Sequence, residues 1–325
     1  MLNKKKKIAI IGGGNGSAIV ISALKYNPTH DLSAVISMSD SGFSSGALRR
    51  YFHLPPPGDI MRAVLAMSPY DYLLLKNIFY KVRFKSLVNV NKKLKAPRGP
   101  NLGNLFLMLV TKFEGDYVRA VRALEEAVGA MGQVYPVTLN ETDLCVRLTN
   151  GQVVKKEEAV DRPNYNRAWK IKEAWLEPAG RIYVGAQKVI EQADYIILSP
   201  GSLYCSVVAT LLPRGVKEAI KKSRAKLIYV AGNGFESVGE TGPERLSDFV
   251  KQLEMYLPRP VDSVVYNNHK LDKKKQKRYR EKNWTTFDAD PQNLPHHKII
   301  ARPFEREEGG LCSVRLGKIL KNILK

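Results

Sequence analysis

Short apolar runs rich in β-branched residues recur along the chain, and stretches with helical spacing separate them. The runs at 7–11, 34–38, 194–198, 226–230 and 261–266 predict buried strands. Apolar spacing predicts helices over 17–25, 59–67, 70–84, 101–111, 116–129, 186–192, 207–212, 216–222, 245–256 and 313–324. This alternation is typical of a mostly parallel sheet with helices on both faces, so the pattern predicts a three-layer α/β fold.

The middle of the chain has a different pattern. Residues 133–139, 144–148 and 153–156 alternate apolar and polar positions, and Asn150-Gly151 marks a turn between the last two runs. These features predict a β-hairpin or meander, followed over 161–183 by irregular chain with one or two strands. We therefore interpret 132–184 as a β-rich insertion within one α/β domain that spans 1–325, rather than as a separate domain.

Length and composition exclude several classes of protein. A chain of 325 residues with 44% apolar content can bury a large core. No stretch approaches the ~20 apolar residues of a membrane helix, and the apolar run after the basic N-terminus is too short for a signal peptide. The three cysteines form no CxxC pair, which argues against a disulfide framework or a zinc site. We expect a cytoplasmic protein without a membrane span.

The formal charge of +21 indicates attraction to anions such as phosphorylated small molecules, nucleic acid or anionic lipid. The basic residues cluster at 4–7, 81–98 and most densely at 270–282. No recognisable nucleic-acid module accompanies them, so we interpret the clusters mainly as solvated faces. Nucleic acid is therefore not the expected partner, although binding through 270–282 stays open as a separate hypothesis.

A glycine-rich turn follows the first predicted strand, and a predicted helix follows the turn. Its residues are Gly12, Gly13, Gly14, Asn15 and Gly16. Glycines let the backbone turn sharply and approach a ligand, and a helix N-terminus offers free N–H groups to a phosphate. The turn matches neither a strict GxGxxG nor a Walker A motif. It predicts phosphate binding, and the alternative is a turn required only for close strand–helix packing.

Further loops should meet this turn, because the carboxyl ends of parallel strands share one edge of the sheet. The loop after the second strand contains Asp40, Ser44 and Ser45, which suit a ribose, a phosphate or, for Asp40, a metal ion. Asp59 follows three prolines, where it could cap the next helix or contact a ligand. The same alternatives hold for Asn101 and Asn104, which could cap a helix or bind a base or hydroxyl.

Loops in the second half of the chain add to the same predicted crevice. Gly201 and Ser202 lie in a Pro-Gly-Ser loop that opens a helix, which predicts a second phosphate cradle. Asn233 follows another strand, and 239–242 reads Gly-Glu-Thr-Gly. No convincing nucleophile and no paired general acid and base stand out in the sequence.

In combination, these loops resemble the gluconeogenesis factor family, whose relatives include 2-phospho-L-lactate transferase. The resemblance covers nearly the whole chain and rests on the following motifs: Gly12 to Gly16, Asp40 with 44–46, 55–59, 102–104, 201–206 and 239–242. It implies a Rossmann-like fold and a nucleotide diphosphate ligand. For the gluconeogenesis factor branch it implies a UDP-sugar and a regulatory role in cell shape and envelope metabolism under gluconeogenic growth.

The transferase branch implies a different chemistry. There, phospholactate passes from a guanosine diphosphate-linked donor to a deazaflavin acceptor with Mg²⁺, and Asp40 is our candidate metal ligand. The chain departs from the regulatory branch at 40–43, where Asp-Asp-Gly-Gly is replaced by Asp-Ser-Gly-Phe. The basic C-terminal region, 267–312, diverges most, and only Asn267 and Arg302 there loosely resemble ligand-side positions.

The leading hypothesis is therefore a UDP-sugar-binding regulatory protein without turnover, and the alternative is a phospholactate-type transferase. A homodimer stays open. The predicted ligand-binding residues are Gly12, Gly13, Gly14, Asn15, Gly16, Asp40, Ser44, Ser45, Asp59, Asn104, Gly201, Ser202, Asn233, Asn267 and Arg302.

Overall fold

The structure is a computed structural model that describes residues 5–41, 54–83 and 100–325. The strands are β1 (Lys6–Gly12), β2 (His30–Ile36), β3 (Gln133–Pro136), β4 (Asp143–Leu148), β5 (Val153–Lys155), β6 (Ile171–Glu177), β7 (Tyr195–Leu198), β8 (Lys226–Gly232), β9 (Gly234–Glu236), β10 (Ser263–Asn267), β11 (Trp284–Thr286) and β12 (Lys298–Arg302).

The α-helices are α1 (Gly14–Leu24), α2 (Gly58–Met67), α3 (Tyr72–Lys76), α4 (Leu102–Glu114), α5 (Tyr117–Ala127), α6 (Glu157–Asp161), α7 (Val184–Gln192), α8 (Ala209–Leu211), α9 (Val216–Lys222), α10 (Leu246–Glu254), α11 (Lys273–Glu281) and α12 (Ser313–Ile323). A π-helical turn, Asn77–Lys81, continues α3, and another, Leu203–Val208, leads into α8. A 3₁₀ turn covers Pro291–Asn293. Within the described ranges, no helix is both long and apolar enough to cross a bilayer.

Seven strands form one parallel sheet in the order β12-β10-β8-β7-β1-β2-β3. Helices cover both sides of this sheet, which confirms the predicted α/β class. All four residues of β7 are buried, as expected for a strand that is covered on both faces. The chain runs outward from β1 to β2 and β3, then returns to place β7 on the other side of β1. The strand order therefore reverses between β1 and β7, and such a switch point is where open α/β sheets bind ligands.

The β-rich middle is partly as predicted. β4 pairs with β5 around the Asn150-Gly151 turn, and β6 joins the other edge of β4, so that a small antiparallel sheet forms. However, the prediction that 133–139 belongs to this meander is wrong, because β3 pairs in parallel with β2 at the edge of the main sheet. Val134 and Pro136 are buried on β3, so the alternating pattern is that of a short edge strand.

Several short elements near the C-terminus were not predicted from the sequence, among them β11, β12 and α11. β12 closes the main sheet beside β10, and its end residues, Lys298 and Arg302, are exposed. α11 has one buried residue, Tyr279, among eight polar or charged ones. α11 lacks a clear apolar period because Tyr279 is its one buried residue, and the apolar part of β12 is limited to 299–301, which is too short for a pattern to stand out.

Candidate functional site

A crevice of about 950 Å³ opens at the carboxyl ends of the strands, beside the switch point between β1 and β7. Its size lies within the range of small-molecule sites. The turns after β1 and β7 pack directly on each other there. A Cβ atom on Gly16 would lie 1.5 Å from the carbonyl oxygen of Pro200, and one on Gly12 would lie 2.1 Å from Ser199 Oγ. Close packing against the turn after β7 therefore explains these two glycines without reference to a ligand.

The first wall of the crevice is the glycine turn, which is braced by α2. Asp59 Oδ2 accepts a hydrogen bond of 2.9 Å from the Gly14 N–H, and Asp59 Oδ1 accepts one of 2.8 Å from Arg62 Nη1. Asp59 lies in the first turn of α2 after Gly58, and its side chain does not cap its own helix. The capping alternative for Asp59 is thus wrong, because the carboxylate is directed across to the turn after β1.

Arg62 brings a positive charge to this wall, although no motif in the sequence pointed to it. Its guanidinium lies 5.8 Å from the centre of the Tyr80 ring, and its Nε is buried without a hydrogen-bond partner among the described residues. The three-residue spacing from Asp59 places both side chains on one face of α2. That spacing was the signal that could have identified Arg62.

The second wall is the Pro-Gly-Ser turn, and its helix N-terminus already has an acceptor. The Glu240 carboxylate accepts hydrogen bonds from the N–H groups of Tyr204, at 3.1 Å, and Cys205, at 3.0 Å. Burial raises the pKa of Glu240 to about 7. The predicted second phosphate cradle therefore does not form at these two amides, because a carboxylate from the 239–242 loop takes the place of the anion.

Three more carboxylates lie in the crevice, two of them on α6, the short helix that follows β5. Glu157 and Asp161, on α6, line the crevice together with Asp40. Burial raises the pKa of Glu157 to about 8, and the negative charges of Asp40 and Asp161 add to the shift. Burial also raises the pKa of Asp161. A hydrogen bond of 3.3 Å from the Ser41 N–H to Glu157 joins this helix to the loop after β2.

One ligating atom each from Glu157, Asp161 and Cys205 lies within 4.8 Å of the other two. Burial raises the pKa of the Cys205 thiol well above its ordinary value, so this thiol is protonated and is not an activated nucleophile. No motif pointed to Glu157 or Asp161 in the sequence, because their place in the crevice depends on how the small sheet packs against the large one.

The structure brings most of the predicted site residues together. The predicted residues that line the crevice are Gly13, Gly14, Asn15, Gly16, Asp40, Asp59, Asn104, Gly201, Ser202 and Asn233. Asn101 caps α4 by accepting a hydrogen bond of 2.8 Å from the Asn104 N–H, as its capping alternative predicted. Ser44 and Ser45 lie outside the described residues.

Three predicted residues do not line the crevice. Gly12 lies within β1 and packs on Ser199. Arg302 lies at the exposed end of β12, where its Nη1 donates a hydrogen bond of 2.9 Å to the Ala301 carbonyl oxygen. Asn267 is buried, and its Nδ2 donates a hydrogen bond of 2.6 Å to Glu305.

Glu305 organises the wall formed by the C-terminal region. Its buried carboxylate also accepts hydrogen bonds from Asn233 Nδ2, at 2.9 Å, and from the Tyr279 hydroxyl, at 2.8 Å. Asn233 and Tyr279 both line the crevice, whereas Asn267 and Glu305 lie behind them. The sequence signal at Asn267 thus corresponds to a supporting network, in which each donor has an acceptor.

Comparison with known proteins bears on this arrangement. The model of the 2-phospho-L-lactate transferase CofD family matches residues 8–304. The chain belongs to the CofD family. The matched region begins within β1 and contains the rest of the parallel sheet and the crevice residues described above.

Relatives of this chain within the CofD family include proteins named gluconeogenesis factor. A putative gluconeogenesis factor of Thermotoga maritima is 36% identical over 92% of this chain and 90% of its own length. The gluconeogenesis factor of Bacillus subtilis is 31% identical over 90% of this chain and 88% of its own length. A crystal structure of a UPF0052 family protein from Bacillus halodurans superposes with a TM-score of 0.86 at 26% identity, covering 98% of this chain and 99% of that one. The resemblance noted from the sequence motifs is thereby confirmed.

Proposed function

We propose that the crevice binds a nucleotide diphosphate sugar, with a UDP-sugar as the expected ligand. We further propose that the protein acts as a regulator that binds this ligand without converting it. The observation that carries the proposal is the placement of the Gly13–Gly16 turn and the Arg62 guanidinium on one wall at the switch point. Backbone N–H groups at a helix N-terminus and a guanidinium are the groups that bind phosphates in proteins. Because the Gly14 N–H already donates to Asp59, the N–H groups proposed to contact the phosphates are those of Asn15 and Gly16.

Arg62 is the side chain best suited to contact a diphosphate. Its Nη1 is held by Asp59, which orients the guanidinium, whereas its buried Nε has no hydrogen-bond partner among the described residues. A buried donor without an acceptor is unfavourable. A phosphate oxygen would supply the missing acceptor with a charge-assisted hydrogen bond.

The carboxylates in the crevice support a requirement for a divalent cation. Asp40 and Asp161 would repel a diphosphate. Burial is the main cause of the raised pKa of Glu157, and the negative charges of Asp40 and Asp161 add to it, which shows that negative charge is concentrated here. Carboxylate oxygens are the ligands that Mg²⁺ prefers, so this donor set fits the ion, with Asp40 as the first candidate ligand. Bound there, Mg²⁺ would neutralise charge on the ligand's phosphates.

The state of the other polar groups supports binding without turnover. The Cys205 thiol is protonated, and Asp59 already accepts hydrogen bonds from Gly14 and Arg62. Neither group, therefore, is poised as a nucleophile. The relatives named gluconeogenesis factor support a regulatory role, which we propose concerns envelope metabolism and cell shape under gluconeogenic growth.

A phospholactate-type transferase is the second candidate, and one observation favours it. Burial raises the pKa of Glu157 to about 8, so this carboxyl group could exchange a proton near neutral pH inside the crevice. Incubation with a guanosine diphosphate-linked phospholactate donor, a deazaflavin acceptor and Mg²⁺ separates the two candidates. Phosphorylated acceptor would establish the transferase, and its absence together with UDP-sugar binding would support the regulator.

Isothermal titration calorimetry with UDP-N-acetylglucosamine and Mg²⁺ tests the binding proposal. We expect saturable heat with the unchanged protein and affinity weakened by about 10- to 100-fold in Arg62→Gln, since a charge-assisted hydrogen bond contributes about 1.5–3 kcal/mol. Arg122→Gln is the matched control. Arg122 also pairs with a carboxylate three residues away, and its side chain is 26% exposed against 23% for Arg62, but it lies outside the crevice.

Saturable binding that Arg62→Gln weakens and Arg122→Gln does not would support the assignment of Arg62. If neither UDP-sugars nor guanosine nucleotides produced heat in the presence of Mg²⁺, the proposed ligand class would be wrong. If binding were equally strong in both variants, the ligand would not contact Arg62 on α2.

A further inference from the structure

α11 presents a concentrated positive charge to solvent on the side of the helix that faces away from the crevice. Tyr279 holds the helix to the protein, since it is buried and bonded to Glu305. The opposite face carries lysines and an arginine that are exposed. These are Lys273, Lys274, Lys277 and Arg280, with Lys270 and Lys282 exposed just outside the helix. We call these six residues the α11 basic face.

The α11 basic face is electrostatically unfavourable for the helix that carries it. The first turn contains no acidic residue and begins with three lysines, at the end where the helix dipole disfavours cations. Lys273 and Lys277 are four residues apart, and such like-charged pairs destabilise a helix by roughly 0.2–0.5 kcal/mol. Only partial compensation comes from Asp272, which caps the helix and pairs with Lys275.

No carboxylate among the described residues forms an ion pair with a member of the α11 basic face. Local arrangements that oppose folding are expected at functional positions. A bound polyanion would remove both unfavourable terms, because it would screen the lysines from each other and from the helix dipole. The charge pattern therefore points to an anionic partner outside the crevice.

The composition of the face selects among anionic partners. Protein interfaces generally have an apolar or aromatic centre, and membrane-binding helices have an exposed apolar stripe. Among the described residues, no large exposed apolar side chain lies between Met255 and Val314. The α11 basic face holds six cations, and the exposed carboxylate on the same side of the helix is Glu281, so its net charge is strongly positive. Such a surface matches the phosphate backbone of a nucleic acid, whose binding is dominated by Lys and Arg contacts.

We infer that the α11 basic face binds the phosphate backbone of nucleic acid without reading its sequence. The sequence contains no nucleic-acid module, but the structure shows what composition could not: the cations share one exposed helix face. Contacts to phosphates carry no sequence information, so affinity is expected to depend on salt and not on base sequence. This activity is independent of the proposed UDP-sugar binding, because the α11 basic face does not line the crevice.

Fluorescence anisotropy with labelled duplex DNA and single-stranded RNA, titrated over KCl concentration, tests the inference. The variant is the triple substitution Lys273→Gln, Lys274→Gln and Lys277→Gln. For duplex DNA, the plot of log affinity against log salt has a negative slope, and we expect the variant's slope to be shallower by about 2.7 if each lysine neutralises one phosphate. The variant should unfold at the same or a slightly higher temperature, because like-charge repulsion has been removed.

The matched control is Lys188→Gln, Lys217→Gln and Lys221→Gln, three exposed lysines on α7 and α9. Both triple variants reduce the formal charge from +21 to +18, that is, 21 minus 3. The inference stands if the α11 variant loses slope as expected while the control keeps the slope of the unchanged protein. It is overturned if the protein fails to bind either nucleic acid at low salt, or if both triple variants lose the same amount. Binding to vesicles of anionic lipid, with none to nucleic acid, would also overturn it.

Discussion

Replacing Glu240 with glutamine should make the protein's stability less sensitive to rising pH. Burial raises the pKa of Glu240 to about 7 in the folded protein, from an ordinary value of 4.5. The folded state therefore holds this proton more tightly than the unfolded state does. The resulting stabilisation is complete below pH 4.5 and is lost as the pH rises through about 7.

The magnitude follows from the size of the shift. A difference of this size corresponds to about 3 kcal/mol, as an upper value, because Glu240 lines the crevice and water screens part of its charge. Glutamine carries no charge, and its carbonyl oxygen can still accept from the N–H groups of Tyr204 and Cys205. Glu240→Gln should therefore gain up to about 3 kcal/mol relative to the unchanged protein between about pH 5 and pH 8.5.

Urea unfolding at these two pH values measures the effect, and the quantity of interest is how the difference between the two proteins changes with pH. Any loss of a hydrogen bond in the variant is independent of pH and cancels in this comparison. Glu244→Gln is the control, since Glu244 is a largely exposed carboxyl group that pairs with Lys170. If the free energies of unfolding of Glu240→Gln and of the unchanged protein differed by the same amount at both pH values, Glu240 would not be a buried carboxyl group whose charge destabilises the folded state.

Three further predictions concern packing, the buried network and the metal ion. Gly16→Ala should lower the free energy of unfolding by about 1–3 kcal/mol in urea titrations, because its Cβ would overlap the Pro200 carbonyl oxygen; full stability would contradict the close packing of the two turns. Glu305→Ala should lower the free energy of unfolding by about 3 kcal/mol or more in the same titrations, since Asn233 and Tyr279 would lose their buried acceptor. A smaller loss than in the surface control Glu308→Ala would disprove the role of this network. Removal of Mg²⁺ with EDTA should weaken UDP-sugar binding measured by calorimetry, whereas affinity that is equal or higher without the ion would argue against a metal at Asp40.

The main sheet could be predicted from the sequence because its central strands are fully buried. Continuous apolar runs such as β7 and β8 leave little choice of structure once helices flank them. Elements at the edge of the sheet and on the surface were harder to predict from the sequence. β3 alternates like a hairpin strand although it pairs in parallel, and α11 shows no apolar stripe because one tyrosine attaches it.

The predicted site shows the same division. Loops that follow strands could be placed at one sheet edge from topology alone, and Gly13, Asp40 and Gly201 do meet there. The partners of those loops could not be inferred from the sequence. Asp59 is directed to the Gly14 N–H and Glu240 to the helix at 203–208, and both contacts join residues at least 35 positions apart. Such long-range contacts determine which backbone amides remain available to a ligand, and no local pattern encodes them.

A crystal structure of the protein grown with UDP-N-acetylglucosamine and Mg²⁺ tests the central claim most directly. We expect density for a diphosphate in the crevice at the β1–β7 switch point, within hydrogen-bonding distance of Arg62 and the Gly13–Gly16 turn. Density for the ligand elsewhere on the protein, or a crevice that stays free of ligand at saturating concentration, would contradict it.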